Sequence, residues 1–291
     1  MIMSNAARFH TLLASRKMIV APGAIDCITG RAIAQAGFSA VYMTGAGTSA
    51  TLGYPDYGLI TMSEMVGNAC RIVNSIDIPL ISDSDTGFGN ELNVFRTVQE
   101  FERAGVSAIH IEDQVFPKKC GHLDNKELVS REDFIAKIRA AAAARKSRDF
   151  CIIARTDSRA VVGLDEAVER ANAALANGAD VAFVEAPQTM EEIEVVPKRV
   201  KGPCLLNVVR GGKTPEIELE TAERMGYAIA IVPGLLLGGI IQTCDRLLAD
   251  LKQGKFPPVT GSPGKIFARF GAAEWDERRI AFRDPVKAAA E

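Results

Sequence analysis

The chain has little to stack with and little to attract a polyanion. Of its 291 residues one is Trp and four are Tyr, and aromatic residues make up 6% of the whole. That scarcity argues against a platform of rings for single-stranded nucleic acid. Neither charge dominates: 34 Lys plus Arg face 36 Asp plus Glu, for a formal net charge of −2. Such a balance gives no electrostatic pull toward nucleic acid or an anionic membrane, so neither is expected as a partner. Six cysteines (27, 70, 120, 151, 204 and 244) form no C-x-x-C pair and no dense framework. The first residues, Met1-Ile-Met-Ser-Asn-Ala-Ala-Arg8, lack the apolar run of a signal peptide. Reduced thiols and a cytoplasmic location are therefore expected. From Met225 to Cys244 no residue is charged, but Pro233-Gly234 and Gly238-Gly239 interrupt the stretch. It reads as a buried strand, a turn and a helix rather than a membrane span.

What is present is a globular composition, 47% hydrophobic and 24% charged, arranged as one pattern repeated eight times. Short runs rich in Val, Ile and Ala alternate with longer helical stretches, as a parallel sheet with crossover helices requires. The runs are 18–21, 40–43, 79–82, 108–111, 151–154, 181–184, 204–207 and 228–232. Several follow a helix that ends in glycine (Gly37, Gly105, Gly178, Gly226), the residue suited to a left-handed C-cap. An open dinucleotide-binding sheet would carry G-x-G-x-x-G after its first strand. Here that turn is Ala21-Pro-Gly-Ala-Ile-Asp26, and the glycines of Thr44-Gly-Ala-Gly-Thr48 are too few to replace it. The expected fold is a (β/α)₈ TIM-type barrel over residues 1–252. A Pro/Gly-rich connection, Phe256 to Gly264, then leads into a C-terminal helical arm, 253–291, expected to pack on another subunit.

In a barrel the C-terminal strand ends form the active-site face. There the sequence places Asp83 and Asp85, Glu112, Arg155, Glu185, Asn207 and Arg210, with Asp56 in the long loop after the second strand. Asp83 and Asp85, two apart, would share one side of an extended chain. Several carboxylates converging on one mouth repel unless a cation sits among them, and hard oxygen donors without a His/Cys cluster suit Mg²⁺ or Mn²⁺. Taken singly, each acid reads equally well as a helix cap or a partner of Arg155. After the fourth strand comes Pro117-Lys-Lys-Cys-Gly-His122, where two lysines beside Cys120 favour a reactive thiolate; an exposed basic loop is the plainer alternative. The other cysteines read as core fillers, His10 as surface, and His110 equally as core or site.

These residues resemble the isocitrate lyase/phosphoenolpyruvate mutase superfamily, in particular its short lyase branch of methylisocitrate and dimethylmalate lyases. The likeness runs from Arg8 to about Leu251. It is most specific at Lys118-Lys-Cys-Gly-His122 and is supported by Tyr42-Met-Thr-Gly45, Asp83-Ser-Asp-Thr-Gly87, Ile111-Glu-Asp-Gln114 and Asn207. The resemblance implies a Mg²⁺-dependent carbon–carbon lyase that splits a substituted 2-hydroxy di- or tricarboxylate into a 2-oxo acid and a second acid. It implies Asp85 as direct metal ligand, with Asp56, Asp83 and Glu112 holding metal-bound waters. The amides of Thr44, Gly45 and Ala46 would take a substrate carboxylate, Arg155 the oxygen whose charge changes, and Glu185, Asn207 and Arg210 other parts of the substrate. Cys120 would be the proton donor, Lys118, Lys119 and His122 would set its protonation and anchor the second carboxylate, and Gly121 would let the lid move. Tyr42, Glu112 and Glu185 are the candidate bases. Arg210 and Gly234 depart from the branch pattern, which bears on the substrate. Oxaloacetate hydrolysis or decarboxylation is the alternative on the same residues. Phosphonate mutase chemistry is disfavoured by Cys120, and a non-catalytic carboxylate-binding barrel is the alternative of another class. A helix-swapped homotetramer is implied as the assembly.

Overall fold

The computed structural model describes residues 3–258 and 261–283. Eight strands, β1 (Ile19–Ala24), β2 (Val41–Met43), β3 (Leu80–Asp83), β4 (Ala108–Glu112), β5 (Cys151–Thr156), β6 (Val181–Val184), β7 (Cys204–Asn207) and β8 (Ile229–Val232), appear where the apolar runs predict them. All pair in parallel in chain order, and β1 closes on β8 with Ile19 opposite Ile229, so the sheet is a closed (β/α)₈ barrel. Gly37, Gly105, Gly178 and Gly226 all take the positive φ expected of helix C-caps. Among the described residues no helix is long and apolar enough to cross a membrane. The uncharged stretch 225–244 instead supplies β8 and the start of helix Gly234–Lys252.

Period 2 sorts each strand into two columns. The inward column forms one apolar cluster: Ala21, Tyr42, Ile81, Ala108, Ile153, Phe183, Leu205 and Ile231 belong to it, as does Phe9 from helix Asn5–Ala14. The outward column meets the helices; Val41, Met43, Leu80, Ile109, Ile111 and Ile152 pack with Met65, Phe101 and Phe134 in a second cluster. Continuing an inward column by two residues carries it from the core to the mouth. Ile81 leads to Asp83, Ala108 through His110 to Glu112, Ile153 to Arg155 and Asp157, Phe183 to Glu185, and Leu205 to Asn207. The same alternation that fills the barrel therefore aims the polar residues at one place.

The chain divides into two compact units, Met1–Ile240 and Ile241–Glu291. In the second, none of the described residues of the helices Pro263–Ala268 and Ala272–Arg283 is buried, and Phe267, Trp275, Ile280 and Phe282 are exposed. Residues 259–260 and 284–291 of the expected arm lie outside the described residues.

Candidate active site

The acids do not meet as an extended pair. Asp83 ends β3, but the chain turns immediately afterwards and Asp85 takes φ 47°, a left-handed conformation unusual for a residue with a side chain. The Asp85 amide donates to Asp83 Oδ1 at 2.9 Å. This turn, rather than period 2, sets where the Asp85 carboxylate lies. Lys118 Nζ stands 2.6 Å from Asp56 Oδ1 and 2.9 Å from Asp85 Oδ1, and its side chain is buried. Burial opposes the ammonium charge, but Asp85, Asp83, Asp56 and Glu112 outweigh it and hold the lysine protonated. Lys118 thus neutralises the acids and is not the partner of the Cys120 thiol that the sequence led us to expect.

One cation is not enough for this group. Burial pushes Asp85 above the usual carboxylate range, with Asp83 and Asp56 adding to it while Lys118 pulls the other way. Burial pushes Glu112 well up too, against Arg155 and Lys118. Neither oxygen of Glu112 has a hydrogen-bond partner, and Asp85 Oδ1 lacks one of proper geometry. Buried carboxylate oxygens without donors are costly unless a cation completes them. Asp56, Asp83, Asp85 and Glu112 therefore fit a hard divalent ion by donor type, and Asp85 and Glu112 also by unmet demand. Among the described residues no three such groups already stand in ligand geometry.

Arg155 is the second centre of charge. Its Nε lies 3.1 Å from Glu112 Oε2 and 2.9 Å from Asp157 Oδ2, its Nη2 lies 3.3 Å from Glu185 Oε2, and the guanidinium sits over the Phe183 ring. Asn207 Nδ2 donates to Glu185 Oε2 at 3.1 Å. His122 Nε2 is 3.3 Å from Glu185 Oε1, and His122 Nδ1 accepts the Lys213 amide at 3.0 Å. A ring that accepts at Nδ1 carries its proton on Nε2, toward Glu185. Tyr42 OH lies 2.8 Å from His110 Nε2. Burial lowers the histidine to about 4, which keeps it neutral, while burial and Asp83 raise the tyrosine well above its ordinary value. His110, which the sequence leaves open between core and site, is fully buried between the Tyr42 and Phe183 rings and meets the site only through Tyr42 and Asp83. Tyr42 holds its proton at neutral pH.

The thiol itself corrects an expectation. Burial raises the Cys120 pKa, with Asp56 and Glu185 adding to the rise, while the His122 amide and Arg155 oppose it. The two preceding lysines do not offset this rise: Lys118 is paired with Asp56 and Asp85. Lys119 turns away, its main chain bound by Gln114 and its Nζ 3.4 Å from the Asn125 carbonyl. Cys120 is accordingly a protonated thiol, which suits an acid rather than a nucleophile.

A cavity of about 130 Å³ opens beside these groups, although Asp85, Glu112 and Lys118 are not among the residues that line it. Tyr42, Asp83, His122, Arg155, Glu185 and Asn207 form its polar wall, Asp56 and Cys120 reach it from their loops, and Val209, Pro233, Gly234 and Leu237 give an apolar side. Thr44, Gly45 and Ala46 also line it, but two of their amides are taken: Thr44 N–H donates to the Ala24 carbonyl and Gly45 N–H to Asp83 Oδ2. Only the Ala46 amide remains for a ligand. Gly121 is required by space rather than by motion, since a Cβ there would lie 2.4 Å from Arg155 Nη2 and 2.6 Å from Glu185 Cγ. Arg210 is not brought to the cavity. Its side chain is 76% exposed beside Glu216, and it lines a separate cleft of about 400 Å³ in the loop after β7 that contains none of the strand-end residues. Sequence reasoning puts Asp157 at the mouth without a role, and misses Lys213 and Lys126. Asp157 is visible as Arg155-Thr-Asp157 in one inward column; the lysines carry no local signal.

A barrel with carboxylates, an arginine and a protonated thiol around a small polar cavity is an enzyme site for a small organic acid. The profile of the phosphoenolpyruvate phosphomutase family matches residues 9–252. Among curated relatives, a 2,3-dimethylmalate lyase of Eubacterium barkeri is 50% identical over 79% of this chain and 80% of its own. A 2-methylisocitrate lyase of Aeropyrum pernix is 43% identical over 83% and 78%. Among solved structures, a 2,3-dimethylmalate lyase superposes with a TM-score of 0.91 at 39% identity, covering 95% of each chain. An oxaloacetate acetylhydrolase bound to 3,3-difluorooxalacetate gives 0.91 at 37%, over 94% and 95%. The chain belongs to the isocitrate lyase/phosphoenolpyruvate mutase superfamily, in its short lyase branch. It is a carbon–carbon lyase acting on a small carboxylate.

Proposed function

We propose that this lyase cleaves a 2-hydroxy di- or tricarboxylate carrying alkyl substituents, of the 2,3-dimethylmalate or 2-methylisocitrate type, to pyruvate or a similar 2-oxo acid and a second carboxylic acid. The observation that carries this reading is the pairing of a protonated thiol, Cys120, with Arg155 across one small cavity that also has an apolar side. In the retro-aldol step the hydroxyl loses its proton, its oxygen becomes the carbonyl of the oxo acid, and the carbon–carbon bond breaks. The bonding pair passes to the departing fragment, which Cys120 protonates at carbon. Arg155 and Asn207 bind the oxygens on which charge changes. Glu185 is the better base: burial opposes its charge, but Arg155 and His122 keep it ionised, whereas Tyr42 retains its proton. Tyr42 orients the substrate and His122 donates from Nε2 to its second carboxylate. Asp85, with Asp56, Asp83 and Glu112, would hold a divalent ion, Mg²⁺ or Mn²⁺, which when bound supplies Lewis-acid stabilisation of the oxo-acid oxygens.

The apolar side formed by Val209, Pro233 and Leu237 favours a substituted substrate over oxaloacetate. The test is product identification with Mg²⁺ present. Pyruvate release is expected from dimethylmalate or methylisocitrate. Oxalate release from oxaloacetate at higher kcat/KM would replace this reading with a hydrolase.

We also propose a homotetramer in which residues 253–291 form the subunit-contacting arm, its helix exchanged between neighbours. Support comes from the exposed Phe256, Phe267, Trp275 and Phe282, large rings that isolated chains rarely leave in water. Light scattering should give four chain masses, and a monomer mass would dispose of the arm. The cysteines are all free, as suits a reducing cytoplasm.

A further inference from the structure

Lys126 does not line the cavity, yet its side chain is only 1% exposed. Burying an ammonium is costly unless it is paired and its donors are used. Its Nζ donates to the carbonyl of Gly121 and to Asp157 Oδ1, the latter at 2.9 Å. Asp157 is fully buried and is the same carboxylate that takes Arg155 Nε at 2.9 Å and Arg155 Nη2 at 3.2 Å. Gly121, between Cys120 and His122, packs so tightly on Arg155 that no side chain fits. The Cys120 loop, the lid that the family resemblance implies, is therefore tied at its tip, through one lysine from its own stem, to the carboxylate that aims the arginine.

We propose that Lys126 is a positioning residue that latches the Cys120 lid onto the Arg155–Asp157 pair, so that the proton donor and the arginine are placed by one shared contact. An ammonium suits this role because it bridges a neutral carbonyl and an anion at once. An apolar residue of the same length would fill the space but leave the lid carbonyl untethered. The inference rests on the lyase reading only in that Cys120 must face bound ligand when the lid is shut.

The test separates the two ideas by reading the lid without turnover. Purified full-length protein with Mg²⁺ and oxalate, a small dianion that mimics an enolate, is treated with iodoacetamide, and modification of Cys120 is followed by peptide mass spectrometry. In the wild type, oxalate should protect Cys120. In Lys126→Met that protection should be lost, and kcat on the identified substrate should fall about 10- to 10²-fold, the scale of a small misplacement of reacting groups. KM should move less than kcat, and Lys126→Arg should recover part of both effects. Protection by oxalate that is unchanged in Lys126→Met would overturn the latch, whatever the substrate proves to be. A fall in melting temperature with Cys120 still protected would reduce Lys126 to a structural ion pair and overturn it equally. Should the methionine variant fail to fold, Lys126→Gln, which keeps a donor but no charge, is read in the same assay, and full protection there also counts against the proposal.

Discussion

Replacing Cys120 with alanine should lower kcat on the order of 10²-fold or more, the usual scale for losing a general acid, while KM and thermal stability change little. The structure separates the two functions of this residue. Its backbone amide donates to the Asp56 carbonyl at 3.1 Å, and alanine keeps that bond. Its thiol is the only part that changes. Because burial raises the thiol pKa, the protonated form is the one present through neutral pH. Activity that depends on it should hold level there and decline only as pH rises through a value above the ordinary thiol range. Cys120→Ser offers a far weaker acid and should lose that alkaline limb along with most of the rate. A pH–rate profile for the wild type and both variants checks this. If Cys120→Ala retains wild-type kcat, the proton comes from elsewhere and the acid assignment is wrong.

Asp85→Asn should be as damaging and for a different reason. Asparagine keeps the size of the side chain and tolerates the left-handed backbone at φ 47° better than most residues, so the turn should survive. What goes is a charge from a crowded acidic group. Without metal, stability should hold or rise, because Asp83 and Asp56 lose a like charge beside them and Lys118 keeps Asp56. With metal, the loss should show as absent Mg²⁺ binding heat in calorimetry. The rate should drop on the order of 10²–10³-fold, the scale for removing one stabiliser of transition-state charge. Chelator treatment of the wild type should reproduce the kinetic loss, and Mg²⁺ or Mn²⁺ should restore it. An Asp85→Asn variant that still binds Mg²⁺ as tightly and turns over as fast would remove Asp85 from the metal site.

How much of this could be read from the sequence follows the reach of local rules. Strand positions and the residues that continue their inward columns were legible because period 2 is a property of each strand alone; Glu112, Arg155, Glu185 and Asn207 came out this way. Beyond the strand end the rule stops. An extended chain puts Asp85 on one side with Asp83, but the backbone turns left-handed at Asp85 itself. Lys118 and Lys119 looked equivalent beside Cys120, yet one is drawn to Asp56, 62 positions away in sequence, and the other to its own loop. Its place after β7 points Arg210 at the pocket, but the loop there pairs it with Glu216 instead. Lys126 meets Asp157 across 31 positions. No periodicity announces such a contact.

The inward columns described for the barrel also bear on how such a site can change over time. Asp83, Arg155, Glu185 and Asn207 are each rooted at the end of a separate strand, above an apolar residue that belongs to the common floor. Exchanging one group leaves the backbone of the others where it was. The mouth can therefore be refitted one position at a time for a different acid, while the floor of Tyr42, Ile81, Ile153 and Phe183 goes on holding the barrel together.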